Sequence, residues 1–134
     1  MIKRLNHNEI KEIYPKLYFG CFDKQAPILM PPVMLTAEDE FKTYGFTAGF
    51  SFNSTTIYIN ATGMLPEYRT KKRAAQINKE FHQTFKKMGA KHLMGHIENK
   101  NKKALFTALL SGYLITGFRT ASDGKQYLII TQKL

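Results

Sequence analysis

The feature that most constrains this chain is a change of hydrophobic period at Pro66. Before it, Tyr44, Phe46, Ala48, Phe50 and Phe52 recur at every second position, and Thr55 to Leu65 keeps the same rhythm after Asn53-Ser54. Alternation places every second side chain on one face of a pleated strand, so the two runs read as an antiparallel hairpin with those five residues on one face. After Pro66 the interval lengthens. Ile77, Phe81, Phe85 and Met88 follow at spacings of four, four and three, with Lys79, Lys86 and Lys87 on the other side. That is the apolar stripe of a helix over about 75 to 88. Gly89 stops it, because glycine takes the left-handed conformation that helix ends often need.

The flanking elements follow from caps and breakers. Met1 to Leu5 reads as a short strand, and Asn6 or Asn8 caps a helix from Glu9 to Tyr14 that Pro15 ends or kinks. Gly20 to Pro32 reads as irregular chain, with Ile28-Leu29-Met30 as a buried element within it. Lys91 to Ile97 is a strand, Asn99 or Asn101 caps the next helix, and Gly112 ends it. Two apolar runs, Tyr113 to Phe118 and Tyr127 to Ile130, flank Ala121-Ser122-Asp123-Gly124, where Asp-Gly signals a hairpin. The expected fold class is therefore α/β (α+β), a mixed, mostly antiparallel central sheet with helices on both faces. With 134 residues and 43% hydrophobic content the chain suits a single domain, residues 1 to 134, around one core.

Cys21 is the only cysteine, so no internal disulfide can form, and a reducing, cytoplasmic setting is the expectation. No apolar run reaches the length of a bilayer span, and no membrane partner is expected. Charge is more informative. Between Arg69 and Lys103 eleven Lys or Arg stand against Glu80 and Glu98 alone, within a formal net charge of +10. A field of one sign gathers anions, whether a phosphorylated cofactor, an acidic protein or nucleic acid; a plain solvated surface explains the same charge.

Two segments carry chemistry. A strand that runs through Pro66-Glu67-Tyr68-Arg69 into Thr70-Lys71-Lys72-Arg73-Ala74 makes an anion site at a helix start, where the first amide hydrogens lack partners and the helix dipole favours negative charge. Further on, Asn101 is followed by Ala104 at +3, Ala108 at +7, Gly112 at +11 and Tyr113 at +12. In this order the two segments resemble the GCN5-related N-acetyltransferase family. Its nucleotide-binding loop reads Pro-Glu-Tyr-Arg-x-x-Gly-x-Gly/Ala, and its later motif Asn-x-x-Ala-x-x-x-Tyr-x-x-x-Gly-Phe. The resemblance covers residues 55 to 134 well and the first third loosely.

The resemblance implies that Arg69, Thr70, Lys71, Lys72, Arg73 and Ala74 hold the pyrophosphate of acetyl-coenzyme A. It also implies that a bulge near Gly63 opens a slot for the pantetheine arm, with the backbone of Gly63 and Met64 facing the thioester and Asn101 contacting the arm. Two departures stand out. Lys72 occupies the family's glycine position, and Ala108 occupies the tyrosine position that in many members protonates the leaving thiolate.

As general base the candidates are His96, whose imidazole titrates near neutrality, then Glu98 and Tyr58. His7, His82 and His92 have no metal-ligand spacing, and no metal site is expected. The implied function is acetyl transfer from acetyl-coenzyme A to an amine by direct attack. Two alternatives stay open. One is a catalytically weak binding or inhibitory module of the same fold, as among small virus-encoded relatives, with an acidic protein partner. The other is a basic nucleic-acid-binding protein, against which the aromatics sit at core-like positions rather than interleaved with the basic residues, leaving weak non-specific binding. In the family, acceptor choice resides in the region that corresponds here to residues 6 to 43.

Overall fold

A computed structural model describes all residues, 1 to 134. In chain order the elements are β1 (Ile2–Arg4), α1 (His7–Phe22), β2 (Val33–Glu38), β3 (Thr43–Ser51), β4 (Thr56–Met64), a short 3-10 turn (Pro66–Tyr68), α2 (Lys71–Lys87), β5 (His92–Glu98), α3 (Lys102–Leu110), β6 (Leu114–Thr120) and β7 (Gln126–Lys133). All seven strands join one sheet in the order β1-β2-β3-β4-β5-β7-β6. Only the β4–β5 pair is parallel. The expected mixed, mostly antiparallel sheet is present, with α1 on one face and α2 on the other.

α1 begins where its cap predicts. Asn6 Oδ1 accepts from the Glu9 amide at 2.9 Å, and Glu9 returns a bond to the Asn6 amide at 3.0 Å. It does not stop at Tyr14 but runs through Pro15 to Phe22, ending on Asp23 in the left-handed conformation. A proline inside a helix costs about 3 kcal/mol, yet Ile10, Tyr14, Leu17 and Cys21 are all buried against Met34, Phe46 and Ala48, and each large buried side chain returns roughly 1.5 to 3 kcal/mol. Tertiary burial outweighs the local break. The segment after it differs from expectation too: Ile28 and Leu29 are 93% and 86% exposed rather than buried, as irregular backbone that must keep its polar groups hydrated runs over the surface.

Three register shifts mark the sheet; one leaves Thr116 as an extra residue in β6, and the other two lie in β3 and β4. Ala37 pairs with Gly45 but Glu38 with Thr43, so Tyr44 is an extra residue in β3. It joins the core under α2, while Phe46 and Ala48 face α1. The five alternating residues therefore do not share one face. In β4, Ala61 pairs with Ala48 and Ile59 with Gly49, which leaves Asn60 as the bulged residue. The bulge is thus at Asn60 and not at Gly63, which stays in register opposite Phe46. Gly63 serves close approach instead, since a Cβ there would lie 2.8 Å from the Phe22 ring and 3.0 Å from Cys21 Cβ. α2 starts at Lys71, ahead of its apolar stripe, because Thr70 caps it; Ile77, Phe81 and Phe85 then pack on Leu35, Ile57 and Leu93.

Candidate functional site

β4 and β5 pair from Thr56 opposite His92 to Ile59 opposite Gly95, and no further. Beyond that point β4 stays with β3 as far as Met64, and β5 stays with β7 as far as Glu98. The bulge at Asn60 falls where the two strands part. A bulged strand bends and twists more strongly, so the neighbouring parallel ladder cannot continue. Between the strands opens a cavity of about 700 Å³, walled by Asn60 to Met64, by His96 and Ile97, by Ala74, Asn78 and His82 of α2, and by Asn101, Ala104 and Ala108 at α3. None of α3's own residues is buried. Its inner side faces this space.

The start of α2 borders the cavity. Thr70 Oγ1 accepts from the Arg73 amide at 3.1 Å and the Thr70 carbonyl accepts from the Ala74 amide at 2.9 Å, which leaves the amides of Lys71 and Lys72 without protein partners. Of the loop residues, Arg69 and Ala74 line the cavity; Thr70, Lys71, Lys72 and Arg73 lie outside its wall. Two of their cations have other partners. Arg69 donates from Nε to the Met64 carbonyl at 3.0 Å and from its terminal nitrogen to the Cys21 carbonyl, tying the end of β4 to the end of α1. Arg73 lies 4.9 Å over the Tyr68 ring, which is itself stacked on Tyr44 at 4.5 Å. Gly63, Met64 and Asn101 also line the cavity, although the Met64 carbonyl is engaged by Arg69 and Asn101 Oδ1 caps α3 by accepting from the Ala104 amide at 3.1 Å.

On the α1 side of the sheet the Tyr58 hydroxyl and His96 Nδ1 share a hydrogen bond. Burial lowers the pKa of His96 and the nearby Arg119 charge lowers it further, so the imidazole is neutral at pH 7. Burial raises the Tyr58 phenol, with Arg119 opposing. Glu98 is two residues along the same strand face, opposite Tyr127, and its carboxylate reaches neither Tyr58 nor His96. Thus two of the three base candidates meet and the third stands apart.

Other residues meet at this site to which the linear pattern gave no chemical role, Tyr113 among them although it closes the Asn101 motif. His82 and Tyr113 meet edge to face at 5.9 Å in the cavity wall, where burial lowers the His82 pKa and pushes the Tyr113 phenol up to about 12. On the opposite face His96 meets the Tyr127 ring at 4.9 Å, and Arg119 lies 5.1 Å over that ring. Arg119 is a lone cation in β6, and only the β6–β7 and β7–β5 registers bring it to His96.

The fold that positions this slot recurs in solved structures. An IAA acetyltransferase from Bacillus cereus ATCC 14579 superposes with a TM-score of 0.78 at 15% identity, covering 100% of this chain and 99% of that one. The chain has the GCN5-related N-acetyltransferase fold. Ard1 from Thermoplasma volcanium matches the acetyltransferase fold equally well, at a TM-score of 0.78, 12% identity and 100% and 97% coverage. A GNAT family acetyltransferase from Elizabethkingia anophelis with acetyl-CoA bound matches at 0.69, 14% identity and 99% and 98% coverage. No family model and no curated protein sequence matches the chain.

Proposed function

We propose that this protein transfers an acetyl group from acetyl-coenzyme A to a primary amine. The observation that carries the reading is the slot between β4 and β5 beyond Ile59 and Gly95, together with its opening at the start of α2. Its size lies in the range of ligand cavities. The edge of β4 from Asn60 to Met64 that faces β5 has no strand partner, so it can bond an extended amide-bearing arm as a strand would. The free amides of Lys71 and Lys72 suit a pyrophosphate. Bound there, acetyl-coenzyme A would supply the thioester that the amine attacks.

The chain's own residues then have definite tasks. With Nδ1–H donating to the Tyr58 oxygen, His96 keeps a free lone pair on Nε2, the tautomer a base needs. The amine nitrogen bonds to the acetyl carbon as the carbon–sulfur bond breaks; Nε2 takes the proton the amine loses, and the thiolate leaves and is protonated through solvent. Tyr58 orients the ring. Burial, and after it the Arg119 charge, keeps the imidazole neutral between turnovers. Ala108 lines the cavity but brings no acid, so leaving-group protonation falls to water.

A second reading, a module of this fold with little catalysis, draws on Lys72 and Ala108. Calorimetry with acetyl-coenzyme A, followed by thiol release across a panel of amines, separates the two. Binding that weakens with salt, plus amine-dependent thiol release, supports transfer. Binding without release supports the module, and no binding at low salt refutes transfer and also favours the module. The basic outer side of α2, with Lys79, Lys86 and Lys87, accounts for no more than weak, sequence-independent nucleic-acid binding. Localisation in the cytoplasm belongs to the same proposal; no helix is long and apolar enough to cross a membrane.

A further inference from the structure

α3 is amphipathic in the reverse of the usual sense. Ala104, Thr107, Ala108 and Ser111, the side turned to the cavity, are small or polar. Phe106, Leu109 and Leu110 occupy the other side and are 42 to 74% exposed. A surface helix ordinarily turns its apolar stripe to the core and its charge to water. Here the apolar stripe is turned to water.

After Gly112 the chain enters β6, the last strand of the sheet. β6 pairs with β7 alone, so the amides and carbonyls of its outer edge have no strand partner. Ile115 lies opposite Ile130, which lines the cavity, and Phe118 lies opposite Leu128, which in turn pairs with Ile97 of the cavity wall. Ile115 and Phe118 therefore stand on the face of the sheet that bears α3, and both are about half exposed. Leu114, opposite Thr131, is exposed on the other face. Proteins that stay monomeric guard such an edge with charge or proline. From Ala104 to Phe118 there is neither, over fifteen positions of a chain that is 22% charged.

From these features we propose that a second copy of this chain docks here, β6 against β6 in antiparallel pairing, as a two-fold dimer with one continuous sheet. Antiparallel pairing of two identical edges sets the two-fold axis perpendicular to the sheet, so both α3 helices lie on the same face and turn Phe106, Leu109 and Leu110 towards their counterparts. The charge pattern favours a like copy over an acidic partner. The segment holds no cation to meet a carboxylate, while two molecules of net charge +10 can touch only where charge is missing, and this uncharged run is such a place. The area agrees. The six apolar side chains Phe106, Leu109, Leu110, Leu114, Ile115 and Phe118 expose on the order of 500 Å² per copy, and the paired edge backbone adds to it, towards the ~800 Å² that each side of a standard interface buries. The second copy also braces α3, whose inner side walls the slot.

The test is sedimentation equilibrium of the full chain without cofactor, from about 1 to about 100 µM, at about 50 mM and about 500 mM salt. A dimer with a Kd of about 10 µM or tighter is expected, and it should tighten with salt, because salt screens the repulsion of two basic molecules and leaves apolar contact intact. Leu110→Glu on α3 and Phe118→Lys on β6 should each weaken it at least about tenfold with the far-UV circular dichroism unchanged; two variants on separate elements keep the test decisive if one fails to fold. Ile28→Glu, equally exposed but elsewhere, should leave the dimer as it is. A monomer at about 100 µM, a dimer that Leu110→Glu and Phe118→Lys leave equally tight, or a dimer that weakens with salt overturns the proposal. So does a monomer that binds vesicles of neutral phospholipid, which would assign the apolar edge to a lipid surface. No step of the measurement involves acetyl-coenzyme A, so it stands or falls apart from the transfer reading.

Discussion

Arg69 offers the sharpest test of how the slot is held open. The family resemblance assigns it to the cofactor loop, whereas its guanidinium is already committed to two backbone carbonyls, Met64 at the end of β4 and Cys21 near the end of α1. The Met64 carbonyl lies beyond the last β4–β5 pair, where β3 alone still holds β4 in the sheet, and Arg69 adds a tie to α1 there. Replacing Arg69 with Met keeps the length of the stem and removes every donor. The bond to the Cys21 carbonyl is partly buried and charge-assisted, worth about 1.5 to 3 kcal/mol; the exposed one at Met64 is screened and worth about 0.5 to 1 kcal/mol. The expected loss is therefore about 2 to 4 kcal/mol. For a chain of this length each kcal/mol moves the midpoint by roughly 3 to 5 °C, so thermal unfolding by circular dichroism should fall by roughly 10 °C. Arg69→Lys should recover part of this, because an ammonium can reach one carbonyl but cannot fork to two. If Arg69→Met melts within a degree of the parent protein but binds acetyl-coenzyme A more than about tenfold weaker, the clamp is refuted and the guanidinium is a cofactor ligand.

Three further outcomes are expected. His96→Gln should lower kcat by about 10² to 10⁴. The parent kcat/KM should rise with pH through a midpoint below the ordinary histidine value, because burial first and Arg119 second depress that pKa and the base acts in its neutral form; a pH profile that keeps this limb in the Gln variant removes His96 from the mechanism. The same depressed pKa, with that of His82, makes stability full above pH 6.5 and declining as pH falls through the two folded values, a slope that urea titrations between pH 7 and 5 would measure. Lys72→Ala should weaken acetyl-coenzyme A by about threefold to tenfold at low salt and hardly at all at high salt, and calorimetry showing no change at either would move the cofactor away from this loop.

Much of the chain was legible because the signal was local. The 3.6 period of Ile77, Phe81 and Phe85, the Asn6 and Asn101 caps, and Gly89, Gly112 and Gly124 at positive φ all depend on neighbours a few residues away. So did the positions of Arg69, Ala74 and Asn101 around one slot, since each stands at the junction of two elements that the pattern already delimits. What escaped depends on partners distant in sequence. α1 crosses Pro15 because four of its side chains find a sheet to bury against, and no window around Pro15 contains that sheet.

The sequence by itself determined most of the strands and helices after Thr43, the cap that starts α1 and the glycines that end α2 and α3; it gave no sign of β2 or of the second half of α1. Only the tertiary structure decided the sites of the three bulges, since a bulge is a count of residues on one strand against its partner and exists in the register rather than in either strand. It alone turned Tyr44 away from Phe46, committed Arg69 to two carbonyls, and joined Tyr58 to His96 across thirty-eight positions with Arg119 behind them. Periodicity constrains the face a side chain takes within one element, while the meeting of side chains from β4, β5, β6 and β7 is set by how four strands align.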